Sequence, residues 1–139
     1  MGNRTIPGIN IQWPWSEMII SGEKTVETRG YDLPKKHLGQ ELALIETPGP
    51  RGKKGAGILK ARILGIVVFE ESYRFNNANH WKKEIHKHRV SKHDAQFGFV
   101  DGTERWGWVI KKVIRFKSPV SPPLKKGIVF ASRCSIPIL

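Results

Sequence analysis

The sequence predicts an α+β fold: a small, mostly antiparallel β-barrel with short helices packed at its side. Three observations lead there: short runs rich in β-branched residues, two segments with helical spacing, and Gly- and Pro-rich turns between them. With 139 residues, no internal repeat and no separate linker, positions 1–139 read as a single domain with enough surface to bury a core.

The first element is a helix over 14–21. Pro14 suits the first helical position, Trp15, Met18 and Ile19 share an i, i+3, i+4 face, and Gly22 supplies a left-handed residue to end it. "KTVETR" (24–29) alternates as a strand does, with Thr25, Glu27 and Arg29 on one face, Val26 and Thr28 on the other, and Lys24 at the corner next to the helix. "ELALIE" (41–46) is a second strand. "TPGPRGKKGAG" (47–57), dense in Gly, Pro and Lys, reads as a mobile loop carrying Arg51, Lys53 and Lys54.

"ILKARILGIVVF" (58–69) is long enough for a bent strand, with Gly65 as a bulge or barrel corner. In "NANHWKKEIHKHRVSKHD" (77–94), Trp81 and Ile85 lie one helical turn apart among basic residues, which predicts a surface helix. Strands return in "RWGWVIKKVIRF" (105–116) and "GIVFA" (127–131), separated by a turn at "SPVSPP".

Twenty-four Lys and Arg stand against 12 Asp and Glu, a net charge of +12 that attracts polyanions, and nucleic acid is the commonest of these inside cells. A surface tuned only for solubility has the same sign. The lone Cys134 cannot form an internal disulfide, no apolar run nears the ~18 residues of a membrane span, and no signal-peptide apolar region opens the chain. The expectation is a soluble, cytoplasmic protein that makes no use of a membrane.

The segment "GEKTVETR" contains Gly22, Lys24, Glu27 and Arg29 in the pattern G-x-K-x-x-E-x-R, preceded by "PWSEMIISG" and followed near the other end by "WGWVIKKVIRFKSPVSPPLKKGIVF". These stretches resemble the ASCH domain of the PUA-like superfamily: its signature, the helix before it, and its closing strands with a proline-containing turn. The likeness spans nearly the whole chain, with 75–100 the part least determined by it. It implies a PUA-like barrel with a cleft beside the signature strand, suited to RNA or a nucleotide-like ligand.

In such a cleft Lys24 and Arg29 offer donors, Glu27 an acceptor, and the Arg29 guanidinium a planar fork that lysine cannot copy. The plainer alternative is that Glu27 and Arg29 pair with each other on a solvated strand face, worth about 0–1 kcal/mol. Trp13, just ahead of the helix, is the candidate for stacking on a base, while Trp15 belongs to the core. Arg51, Lys53 and Lys54, with Lys82, Lys83, Lys87 and Arg89, form the candidate grip on an RNA backbone.

Whether a reaction occurs is left open. Some proteins resembling this family are amidohydrolases acting on acylated cytidine, in which the signature lysine works with a threonine; Glu27 stands at that position here. Others are ribonucleases. In either enzyme reading Lys24 and Glu27 carry the proton transfers. A protein-interaction module in an RNA-processing complex is a third reading, with no partner named by the residues. The two imidazoles of "HKH" (86–88) point about 200° apart on a helix, and no cysteine is near, so no metal or other cofactor is expected.

Overall fold

The computed structural model describes residues 2–124 and 127–139, so Lys125 and Lys126 of the quoted closing stretch lie outside the described residues. Its elements are β1 (Asn3–Gln12), α1 (Trp15–Ile20), β2 (Val26–Arg29), a 3-10 turn (Lys35–His37), β3 (Leu42–Thr47), α2 (Gly49–Gly55), β4 (Arg62–Arg74), α3 (Ala78–Lys83), α4 (Ile85–His88), β5 (Trp106–Val120) and β6 (Phe130–Pro137). The strands form one six-stranded sheet in the order β2-β5-β4-β3-β1-β6. Among neighbouring strands of the described residues, β1 and β3 pair in parallel and the others are antiparallel.

The mixed α+β class holds, but the ladder is not closed: β2 and β6 are its two edges. Side chains nevertheless meet between the two ends of the sheet. Arg29 of β2 reaches the Asn10 carbonyl of β1, and Trp108 of β5 lies parallel to Phe130 of β6 with ring centres 6.1 Å apart.

The continuous apolar run of β3 follows from burial on both faces. Leu42 and Leu44 enter a core with Ile9, Ile19, Phe69 and Trp108, while Ala43 and Ile45 enter a second one with Ile66 and Cys134. Gly65 marks a bulge, as expected: the β4–β5 register shifts there, and a Cβ on Gly65 would come within 1.9 Å of the Ile114 carbonyl oxygen. Gly22, at φ +87°, ends α1 as its position predicts.

Four local expectations need correction. Residues 47–57 are not a loop, because α2 forms there with Gly52 tucked under Trp13, where a Cβ would stand 3.3 Å from the indole's Cβ; packing overrides poor propensity. The single surface helix over 77–94 is two short helices broken at Glu84, begun by the Asn77 side chain accepting from the His80 amide and stopped by left-handed Arg89. Its Trp81 is fully buried against Phe75, Phe99 and His88. The last strands run on, β5 through Val120 and β6 from Phe130 to Pro137. Finally, β1 has no counterpart among the expected strands; its β1–β6 register shifts between Ile6 and Gly8, around Pro7.

Candidate nucleotide-binding site

The residues of the signature stretch are held from two sides. The Lys24 amide donates to the Met18 carbonyl of α1 at 2.9 Å, and the Thr25 amide donates to Lys87 of α4 at 2.8 Å. The chain then pairs with β5, setting Glu27 opposite Trp108 and Arg29 opposite Trp106. This turns Lys24, Glu27 and Arg29 to one cavity, whereas Thr25 faces away from it.

The three charges are linked. The buried Lys24 ammonium donates to the His88 carbonyl and lies 3.5 Å from Glu27 Oε1. Glu27 Oε2 accepts from Arg29 Nε at 2.9 Å and from Nη2 at 2.7 Å, and Nη2 also donates to the Asn10 carbonyl at 2.9 Å. The guanidinium sits 5.6 Å from the centre of the Trp108 ring. The Glu27–Arg29 pair therefore exists, but inside the protein and not on a solvated face.

Burial pushes the Lys24 ammonium down to about 8, against which the Glu27 carboxylate works and Arg29 does not. Burial alone would raise the Glu27 carboxyl. The Arg29 and Lys24 charges and their hydrogen bonds outweigh it and hold the group below its ordinary range, so Glu27 is ionised at neutral pH.

The carbonyl under Lys24 has its own support. His88 Nδ1 accepts from the Val90 amide at 3.0 Å, which leaves the proton on Nε2 to donate to the Trp81 carbonyl at 2.9 Å. Burial lowers this imidazole to about 4, so it is neutral. Trp81 closes the loop by donating its indole N–H to Val90 at 3.0 Å.

The cavity measures about 440 Å³, and its walls add Asn10, Gln12, Trp15, Gln96, Phe97 and Arg105 to the three charges. Trp15 and Phe97 meet edge to face with centres 5.0 Å apart. Asn10 and Gln12 escaped the sequence reading because β1 did, and Gln96, Phe97 and Arg105 because nothing in their local pattern marks them. Trp15 was expected in the core; it is buried and also forms a wall.

Trp13, expected at this cleft, lines a separate groove beside Ile58, Lys60 and Arg115. Arg51 stacks over Trp15 at 4.8 Å and pairs with Asp94 at 2.6 Å, and the Arg89 carbonyl accepts from the Trp15 indole at 3.4 Å, so both flank the cavity. Lys53 and Lys54 are exposed on α2, and Lys82 and Lys83 on α3. Lys87 lines another depression, with Tyr73, His80 and Glu84, and its ammonium lies 3.8 Å from Glu84. Among the described residues no group of three or more His, Cys, Asp or Glu is placed to hold a metal ion. No helix among them is long and apolar enough to cross a membrane.

No family model matches the chain, and no curated protein matches it. Solved structures do. The ASCH protein of Zymomonas mobilis is similar at 16% identity with a TM-score of 0.62, over 83% of this chain and 72% of that one. Two substituted forms of the same protein are similar at 18% identity, with TM-scores of 0.61 and 0.58; they cover 87% and 85% of this chain and 77% and 76% of theirs. Likeness at that identity speaks for architecture, and by it the chain has the ASCH-domain fold.

Proposed function

We propose that the protein binds RNA or a nucleotide fragment in the cavity holding Lys24, Glu27 and Arg29. One observation carries this reading: buried charges line a cavity that also has aromatic walls, and those charges keep donors to spare. Lys24 has three N–H groups and two acceptors nearby, and Arg29 Nη1 has no partner among the described residues. A phosphate or the acceptor edge of a base suits those donors, and Trp15 and Phe97 suit the faces of a base. The charge of +12 favours a polyanion at longer range.

Replacing Arg29 by lysine keeps the charge but loses the planar fork that grips Glu27 through two nitrogens and still reaches the Asn10 carbonyl. Nucleotide affinity measured by calorimetry should fall by about 1–3 kcal/mol. Unchanged affinity would take Arg29 out of the site.

An enzyme is the second reading, favoured by the Lys24 ammonium at about 8, where a lysine exchanges protons near neutral pH. Incubation with N4-acetylcytidine, and separately with single-stranded RNA, without added metal, decides between them. A binder turns over neither, and Glu27→Gln then stays within roughly tenfold of the parent's affinity, about 1.4 kcal/mol. Turnover that disappears in both Lys24→Ala and Glu27→Gln while binding persists would make the protein an enzyme.

A further inference from the structure

We propose that the groove beside Trp13 is a second nucleotide subsite, so that the ligand is a single-stranded RNA running out of the cavity and not an isolated nucleotide. This rests on the reading that the cavity itself takes a nucleotide.

The groove, about 770 Å³, is lined by the half-buried Trp13 ring, by the apolar Leu59 and Pro119, and by Lys60, Arg62 and Arg115. Leu59 is 75% exposed, an apolar side chain in water beside an indole. The ring is backed by the glycines of α2: a Cβ on Gly55 would come within 3.7 Å of it, and one on Gly52 within 3.3 Å of its Cβ. An indole backed on one side and lining a groove on another is a platform for a base, and every base has a face to stack on it.

The cations around it can serve phosphates. Lys60 is exposed. Arg115 pairs with Glu17 at 2.6 Å, but with side chains 50% and 41% exposed, so water and salt screen the pair and a phosphate can compete for the guanidinium. Arg62 gives its Nε to the buried Glu46 at 2.8 Å, and Glu46 also accepts from Ser16, which fixes the arginine's stem at the groove wall. Three cations with one exposed carboxylate suit an anionic strand better than a neutral or acidic partner.

The two depressions are lined by residues adjacent in sequence. Gln12 lines the cavity and Trp13, the next residue, lines the groove. Gly49 lies against Gln12: a Cβ there would stand 2.6 Å from the Gln12 side-chain oxygen. The proposed strand leaves the cavity past Gln12, runs beside the glycines of α2 that pack on Gln12 and Trp13, and ends at Trp13.

The test compares a fluorescent oligoribonucleotide of about eight residues with ribonucleoside monophosphates, in the parent, Trp13→Ala, the double variant Lys60→Ala with Arg115→Ala, and Arg29→Lys. Melting curves accompany each, and the double variant touches only exposed side chains, so it reports even if Trp13→Ala folds poorly. Trp13→Ala should weaken the oligonucleotide roughly tenfold and leave the monophosphates unchanged. The double variant should lower the slope of log affinity against log salt by about 1.4, the amount for two phosphates of a single strand. Arg29→Lys should weaken both ligands. If the groove variants alter neither affinity nor slope while Arg29→Lys still weakens both ligands, the groove is no subsite and the cavity reading stands. If the groove variants weaken the oligonucleotide and Arg29→Lys changes nothing, the cavity reading fails and the continuous path with it. A parent that binds neither ligand overturns both.

Discussion

Lys24 and Glu27 face each other across 3.5 Å with side chains 0% and 7% exposed, and Arg29 closes on the far oxygen of the same carboxylate at 2.7 Å. Two cations share one buried anion, which leaves a net positive charge at the wall of a cavity.

That arrangement makes Glu27 a stability determinant as well as a candidate ligand contact. Glu27→Ala strands two cations, one fully buried, and should destabilise the protein by ~3–5 kcal/mol in urea unfolding at pH 7. Glu27→Gln, which keeps an acceptor, should lose less. A change under about 1 kcal/mol in the alanine variant would mean that the pair behaves as an exposed one.

The pH dependence follows from Lys24. Its ammonium titrates at about 8 in the folded protein and at 10.5 in a model peptide, chiefly because it is buried. Between those values the unfolded chain binds more protons, so stability rises with pH across the window from about 8 to 10.5, by about 3 kcal/mol from this residue. Unfolding free energies of the parent and Lys24→Gln across that window check it. The parent's curve should climb relative to the variant's; parallel curves would show that Lys24 is not desolvated.

Long-range attraction has its own readout. If Lys82, Lys83 and Lys87 touch phosphates of a bound strand, changing all three to alanine should lower the log–log salt slope of RNA binding by about 2, with little change in melting temperature. Lys82 and Lys83 are exposed, and the Lys87 ammonium pairs with the partly exposed Glu84, so removing these three side chains leaves the core intact. An unchanged slope removes α3 and α4 from the footprint.

What the sequence made legible tracks where local pattern and tertiary packing agree. α1, β2 and the Gly65 bulge follow from spacing, alternation and a glycine that no other residue can replace. β1 and α2 do not, because proline and glycine argue against regular structure there while neighbouring strands and the Trp13 ring impose it. The site divides the same way. Lys24, Glu27 and Arg29 were visible as a motif, yet their mutual hydrogen bonds depend on the Asn10 and His88 carbonyls, which come from segments distant in sequence. Trp13 and Trp15, two residues apart, looked assignable to stacking and core respectively. Only the course of β1 and α1 shows that Trp15 meets the cavity and Trp13 the groove.

A crystal structure of the protein with a bound ribonucleotide tests directly whether the cavity at Lys24, Glu27 and Arg29 takes the ligand. A phosphate or base edge should lie within hydrogen-bonding distance of Arg29 Nη1 and the Lys24 ammonium, with the base against Trp15 or Phe97. A nucleotide bound elsewhere on the surface, with the cavity holding only solvent and the Lys24–Glu27–Arg29 contacts unchanged, would contradict it.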